Sequence, residues 1–178
     1  NPPQYLFKGK WQEATVHEEK IEVKGCSDPI IEQVVETHHG PIVSGDIKSG
    51  VPHVALKWSG SEIQQTFSSF VALHSAKNLQ SAIDAHQKWT SHTNKIIADD
   101  TGNIGYRLTG QLPIRKGGPA HFPVPGWTGE HEWTDTVPFD EMPEVINPAE
   151  HFINTSNNLI APFNYPHYVN AIGNPDRA

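Results

Sequence analysis

Asn94-Lys95-Ile96-Ile97-Ala98-Asp99-Asp100-Thr101-Gly102-Asn103-Ile104-Gly105-Tyr106-Arg107-Leu108-Thr109 reads as a β-hairpin, and this reading decides the fold class. Two short runs rich in β-branched and aromatic residues flank Asp-Thr-Gly-Asn, where Gly102 suits a positive φ. Gly105 and Gly110 invite close backbone approach or a bulge. Just upstream, Leu79, Ala82, Ile83, His86 and Trp89 recur at helical spacing and form one apolar stripe. Asn78 stands where an N-cap belongs. Phe67, Phe70, Val71 and His74 predict a shorter helix before it, with Phe70 and Leu73 on the same core. One or two helices beside antiparallel strands give an α+β class, rich in strands and loops.

Further out, Thr15 to Lys24 alternates at its end through Ile21 and Val23 and is closed by Gly25, as a strand would be. Ile30 to Thr37 is a second strand, leading into His38-His39-Gly40-Pro41. Val54-Ala55-Leu56-Lys57-Trp58 is a third candidate. Gly117 to Pro148 is dense in Pro, Gly and Trp, so regular structure is expected to be sparse there. Trp127, Trp133, Phe139 and Met142 are too apolar for a free linker and predict an ordered loop over a core. Phe152 to Asn158 reads as a strand with an amide-rich tip, and the remainder as irregular.

The chain has 178 residues, 36% of them apolar and 19% charged. That suits one ordinary core and excludes a disordered chain. No linker or repeat divides it, so residues 1–178 read as a single segment. No apolar run approaches membrane-spanning length, and Asn1-Pro2-Pro3-Gln4 lacks the charged-then-apolar order of a signal peptide. Thirteen basic against 20 acidic residues give a net charge of −7, which argues against a phosphate-backbone binder. A single cysteine, Cys26, excludes an internal disulfide and a cysteine-based zinc cluster.

Several common chemistries leave no mark. There is no Gly-x-Ser-x-Gly elbow, no phosphate-cradling or dinucleotide loop and no His-Glu-x-x-His. Of the 11 histidines, the adjacent His38 and His39 are expected on opposite faces of a strand. No pair has a recognised zinc spacing, so no metal site is expected from them. Glu130, Glu132, Asp135, Asp140, Glu141 and Glu144 form an acidic stretch that reads as a solvated loop face, the alternative being a hard-cation site. The Asn157-Asn158 pair carries the most chemical interest. A side-chain amide can donate to a developing oxyanion, although asparagines also simply cap turns. Arg177 by itself reads as a surface cation.

Several ordered blocks resemble the penicillin acylase (penicillin amidase) family of N-terminal-nucleophile hydrolases. They are Glu36-Thr37-His38-His39-Gly40-Pro41-Ile42, Ala98 to Tyr106, Pro123-Val124-Pro125-Gly126-Trp127 and Pro138-Phe139-Asp140-Glu141-Met142-Pro143. Asn147-Pro148, Phe152 to Asn158, Tyr165-Pro166 and Asp176-Arg177 follow in order. The resemblance covers nearly the whole chain.

It implies that these residues form part of a four-layer α-β-β-α sandwich with an added α+β lobe, and that they are an inner segment of the β chain. It implies an amidohydrolase whose nucleophile is a serine freed at the β-chain N-terminus by self-cleavage of a precursor. The serine's own α-amine is the base, which is sensible for a group titrating near 7.7–8.0 in reference peptides. By resemblance the oxyanion asparagine falls on Asn157, with Asn158 as the register alternative, and the orienting arginine on Arg177. Ser156-Asn157 imitates a processing site, but Thr155 stands where glycine is expected, so Ser156 is not taken as the nucleophile. The chain starts at Asn1, which has no nucleophilic oxygen, so the serine is expected outside it and the isolated segment is expected to be inactive.

The implied partners are the α chain, the rest of the β chain and a small acyl-amide substrate, without nucleic acid or membrane. No cofactor is expected in the segment, calcium belonging if anywhere to the full-length protein. A secreted or periplasmic address is implied by resemblance only. The alternative reading is a non-catalytic binding or structural module, and a third, weaker one is a histidine-based metalloprotein.

Overall fold

The structure, a computed structural model, describes residues 2–45, 50–61, 63–119, 121–156, 158–162 and 164–169. In chain order its strands are β1 (Gln4–Phe7), β2 (Lys10–Glu13), β3 (Thr15–Ile21), β4 (Ile30–Thr37), β5 (Gly40–Pro41), β6 (Thr93–Ala98), β7 (Ile104–Thr109), β8 (Pro113–Arg115), β9 (Trp133–Thr136) and β10 (Glu144–Ile146). The helices α1 (Ile63–Leu73) and α2 (Leu79–Ala85) lie between β5 and β6. The mixed α+β class stands. The chain divides into two compact units, Asn1–Trp58 with Ala120–Glu132, and Ser59–Pro119 with Trp133–Ala178.

The hairpin that organises the second unit is β6–β7, paired antiparallel from Thr93↔Thr109 to Ala98↔Ile104. Asp99 makes its turn. The carboxylate accepts from the backbone N–H of Thr101 and Asn103, the Thr101 hydroxyl and the Asn103 amide, and also from the N–H of Leu79 at 3.1 Å. These donors hold the acid far below the ordinary carboxylate range. Leu79 opens α2, so one side chain ties the hairpin tip to the start of a helix. Asn78 caps that helix through a reciprocal bond pair with Ser81. Gly105 lies where an added Cβ would be 2.8 Å from Leu79 Cδ1, and at Gly110 it would be 2.7 Å from the His92 backbone. The expected close approaches are therefore present.

The stripe on α2 is real: Leu79, Ala82, Ile83 and His86 are all buried. The helix stops at Ala85, one turn before Trp89. Buried at that end, His86 donates from Nδ1 to the Ala82 carbonyl at 2.7 Å. Burial pushes its pKa down, the Ala82 bond opposes this, and the Lys95 charge adds to the lowering. The folded state thus favours the neutral ring. Its stabilising contribution is complete above the ordinary value of 6.5 and declines as pH falls below it, because the unfolded chain then binds more protons. Urea midpoints compared at about pH 7.5 and about pH 5.5 are expected to fall more for this protein than for His86→Gln.

α1 departs from expectation. With 11 residues it is longer than α2, which has seven, and of the two residues expected on the core Phe70 is exposed and Leu73 only half-buried. The core of this unit is instead Tyr106, Leu108, Leu112, Val137 and Met142, with Ile114, Ile153, Ile160 and Val169 packed against it. β10 pairs with β7, and β8 with β9. The Pro/Gly-rich stretch therefore contains two short strands, because partners far away in sequence extend them. Arg107 is the second surprise. It is only 4% exposed, with Nη1 donating to its cross-strand partner Glu144 at 2.7 Å and Nη2 donating to the Phe139 carbonyl.

In the first unit, β3 pairs with β4 over seven residues from Thr15↔Glu36 to Ile21↔Ile30, and β5 adds to β4. All of β3 is exposed, so the alternation at Ile21 does not bury a face. β1 pairs with β2. The strand expected over Val54–Trp58 is reduced to a single bridge between Ile42 and Ala55.

Candidate functional site

Asn157 and Arg177, the two residues to which resemblance gave catalytic roles, lie outside the described residues. The residues on either side of Asn157 do not. Residues 152–156 form no strand, contrary to expectation. The segment is held by side chains instead of a ladder: Ile153 and Ile160 pack on the core, and the Thr155 hydroxyl accepts from Asn94 Nδ2 at 3.1 Å. Asn94 is itself fixed, its Oδ1 accepting from the Tyr106 hydroxyl at 2.8 Å. Burial raises that phenol to about 12, so it remains a donor. The hairpin thus anchors the chain two residues before Asn157.

A cavity of about 400 Å3 opens here, lined by His92, Asn94, Leu108, Thr155, Asn158 and Ile160 among others. Asn158, the register alternative, spends its amide locally. Its Oδ1 accepts from the Ser156 N–H at 3.2 Å, and its Nδ2 donates to the Leu159 carbonyl at 3.2 Å. That is the turn-capping use of asparagine.

A second group of chemically capable residues gathers in the first unit. β4 ends at Thr37, whose hydroxyl accepts from the His39 N–H at 3.1 Å and donates to the Gly40 carbonyl at 3.2 Å. Gly40 has φ +105°, and an added Cβ would overlap the Leu56 carbonyl. His38 and His39 therefore occupy a tight turn and not a strand. The opposite-face expectation fails for that reason, and their ring centroids are 3.7 Å apart. Gly40→Ala is expected to cost about 2 kcal/mol or more, read as a lower urea midpoint.

Glu132 meets this turn. His39 Nε2 donates to Glu132 Oε1 at 2.7 Å, His38 Nε2 is 3.8 Å from the same oxygen, and Lys57 Nζ is 3.9 Å from Oε2. Burial pushes Glu132 up, but the His39 bond and the charges of His39, Lys57 and His38 together bring it below the ordinary value. Burial and the His39 charge lower His38 against the pull of Glu132. Elsewhere in the acidic stretch Glu141 pairs with His167 at 2.7 Å, and Glu144 with Arg107. Glu132 is thus half-buried and paired, whereas Glu130, Asp135, Asp140, Glu141 and Glu144 are exposed, as expected of a solvated loop face. No spacing rule could have linked Glu132 to His39 across 93 positions.

Calcium, which resemblance allows for a full-length protein, does not fit what is gathered here. It takes six to eight oxygens, whereas the converging set among the described residues is His38, His39 and Glu132. Among the described residues, no helix is long and apolar enough to cross a membrane.

The ordered sequence blocks pointed to a family, and comparison with known proteins bears that family out. The family model described as penicillin amidase matches residues 1–178, and the chain belongs to that family. It is 30% identical over 164 residues to the penicillin acylase 2 proenzyme of Pseudomonas sp. (strain SE83), covering 92% of this chain and 21% of that protein. It is 34% identical over 159 residues to the penicillin G acylase of Escherichia coli, covering 88% and 18%. It is 30% identical over 184 residues to the acyl-homoserine lactone acylase QuiP of Pseudomonas syringae pv. syringae, covering 100% and 22%. Among solved structures, the thermostable penicillin G acylase from Alcaligenes faecalis matches with a TM-score of 0.79 at 27% identity, covering 94% of this chain and 31% of the other. The chain spans about a fifth of the length of these curated relatives.

Proposed function

We propose that these residues are the oxyanion-bearing segment of an amidohydrolase that cleaves acyl amide bonds with an N-terminal serine supplied from outside residues 1–178. Asn157 donates its side-chain amide to the tetrahedral oxyanion, and Arg177 orients that amide and the nucleophile's amine. The observation that carries this reading is the family match over all 178 residues. The Tyr106–Asn94–Thr155 hydrogen-bond chain supports it, because an oxyanion donor works only when held in place before the charge develops. The commitment of Asn158 to its own turn favours Asn157 within the pair.

The substrate is an N-acyl amide of the kind named for the relatives, a penicillin or an acyl-homoserine lactone. The remaining parts of the same precursor complete the site, and a secreted or periplasmic location goes with it. Full-length precursor, assayed with both substrate classes and sequenced at the N-terminus of its mature chains, tests this. Amide hydrolysis with an exposed N-terminal serine is expected, and residues 1–178 alone are expected to be inactive. Turnover by the isolated segment, or a processed protein that cleaves neither class, overturns it.

A further inference from the structure

We propose that His38, His39 and Glu132 form a binding site for a zinc-type divalent cation. One ligand atom from each residue lies within 4.8 Å of the others. Two imidazole nitrogens and one carboxylate oxygen are a donor set suited to zinc, with a fourth position left for water. On a tetrahedron with bonds of about 2.0–2.1 Å, ligand atoms stand about 3.3 Å apart. The present separations from Glu132 Oε1, 2.7 Å to His39 Nε2 and 3.8 Å to His38 Nε2, bracket that value. Small side-chain adjustments suffice, with the cation taking the place of the proton between His39 and Glu132.

The surroundings orient these ligands. His38 Nδ1 is 3.2 Å from the Tyr5 hydroxyl, which donates onward to Gln12 at 2.8 Å. That leaves Nε2 as the ligating nitrogen. The Phe7 ring packs on the His38 ring at 4.1 Å between centroids. Lys57 lies beside the second oxygen of Glu132, leaving Oε1 as the single ligand atom. His38 is exposed, so water can reach the fourth position. A bound cation would pin the turn after β4 to the segment ending at Glu132. The two segments are remote in sequence, so binding would cross-link them.

Chelator-treated full-length protein, titrated with Zn2+ alone by calorimetry and with Co2+ alone by visible absorption, tests the assignment. One equivalent bound with a tetrahedral Co2+ spectrum is expected at this site. His38→Gln, His39→Gln and Glu132→Gln should each weaken that equivalent by at least about a hundredfold, and Tyr5→Phe by about tenfold. His38→Gln leaves the His39–Glu132 pair intact, so its effect is not one of misfolding. The surface variant His53→Gln should bind as the parent does. No uptake of either cation, or undiminished binding in His38→Gln and Glu132→Gln, overturns the proposal.

Discussion

Replacing Asn157 by alanine in the full-length protein is expected to lower kcat roughly 10²–10³-fold, with KM changed only slightly. The split follows from the proposed role. A donor aimed at the oxyanion acts on charge that develops in the transition state and contributes little to binding the neutral amide. Asn158→Ala is the matched control. Its amide already serves the Ser156 N–H and the Leu159 carbonyl, so its loss should loosen the turn and reduce kcat by less than about tenfold. A larger effect at Asn158 than at Asn157 would reverse the register and sink this assignment. Asn94→Ala offers a third measurement. It removes the tether to Thr155, and a fall in kcat without a new KM would mark Asn94 as a positioning residue.

Arg107→Ala is expected to destabilise the second unit by about 3 kcal/mol, read as a lower urea midpoint. The guanidinium is buried between its ion pair with Glu144 and the Phe139 carbonyl, with its central carbon 4.1 Å from the Phe139 ring centroid. Alanine forfeits these contacts and leaves buried volume unfilled beside the Phe139 ring. The released carboxylate costs less, because the Glu144 side chain is 37% exposed and water can reach it. Arg107→Met keeps most of the volume and should cost about half as much. A loss under about 1 kcal/mol for the alanine variant would show that the pair carries no net stabilisation.

What could be read in the sequence is what short-range chemistry controls. The Asp100–Asn103 turn, the Asn78 cap and the α2 stripe are legible because each rests on residues a few positions apart, although Asp99, which reads as strand, belongs to the turn. The same is true of β4, whose bounds agree at Ile30 and Thr37. Legibility ended where distant partners decide. Val54–Trp58 has strand composition, yet it finds only Ile42 to pair with. Phe152–Ser156 also has strand composition, but it is held by Thr155 and Ile153 side chains. β9 and β10 lie in a stretch whose prolines and glycines argued against them, and β8 and β7 made them strands. The His38–His39–Glu132 group is invisible in sequence for the same reason, since the two histidines sit in a turn closed by Gly40 and Glu132 comes to them from 93 positions away. For Asn157 and Arg177 the blocks of sequence carry the assignment, because both lie outside the described residues.

Asp99 closes the tip of one element and the entry of another with a single carboxylate. One oxygen takes the Leu79 amide and the other those of Thr101 and Asn103, so any displacement of this side chain disturbs both elements at once. The unit therefore gains cooperativity at a point where a hairpin and a short helix, each marginal in isolation, would otherwise come apart in separate steps.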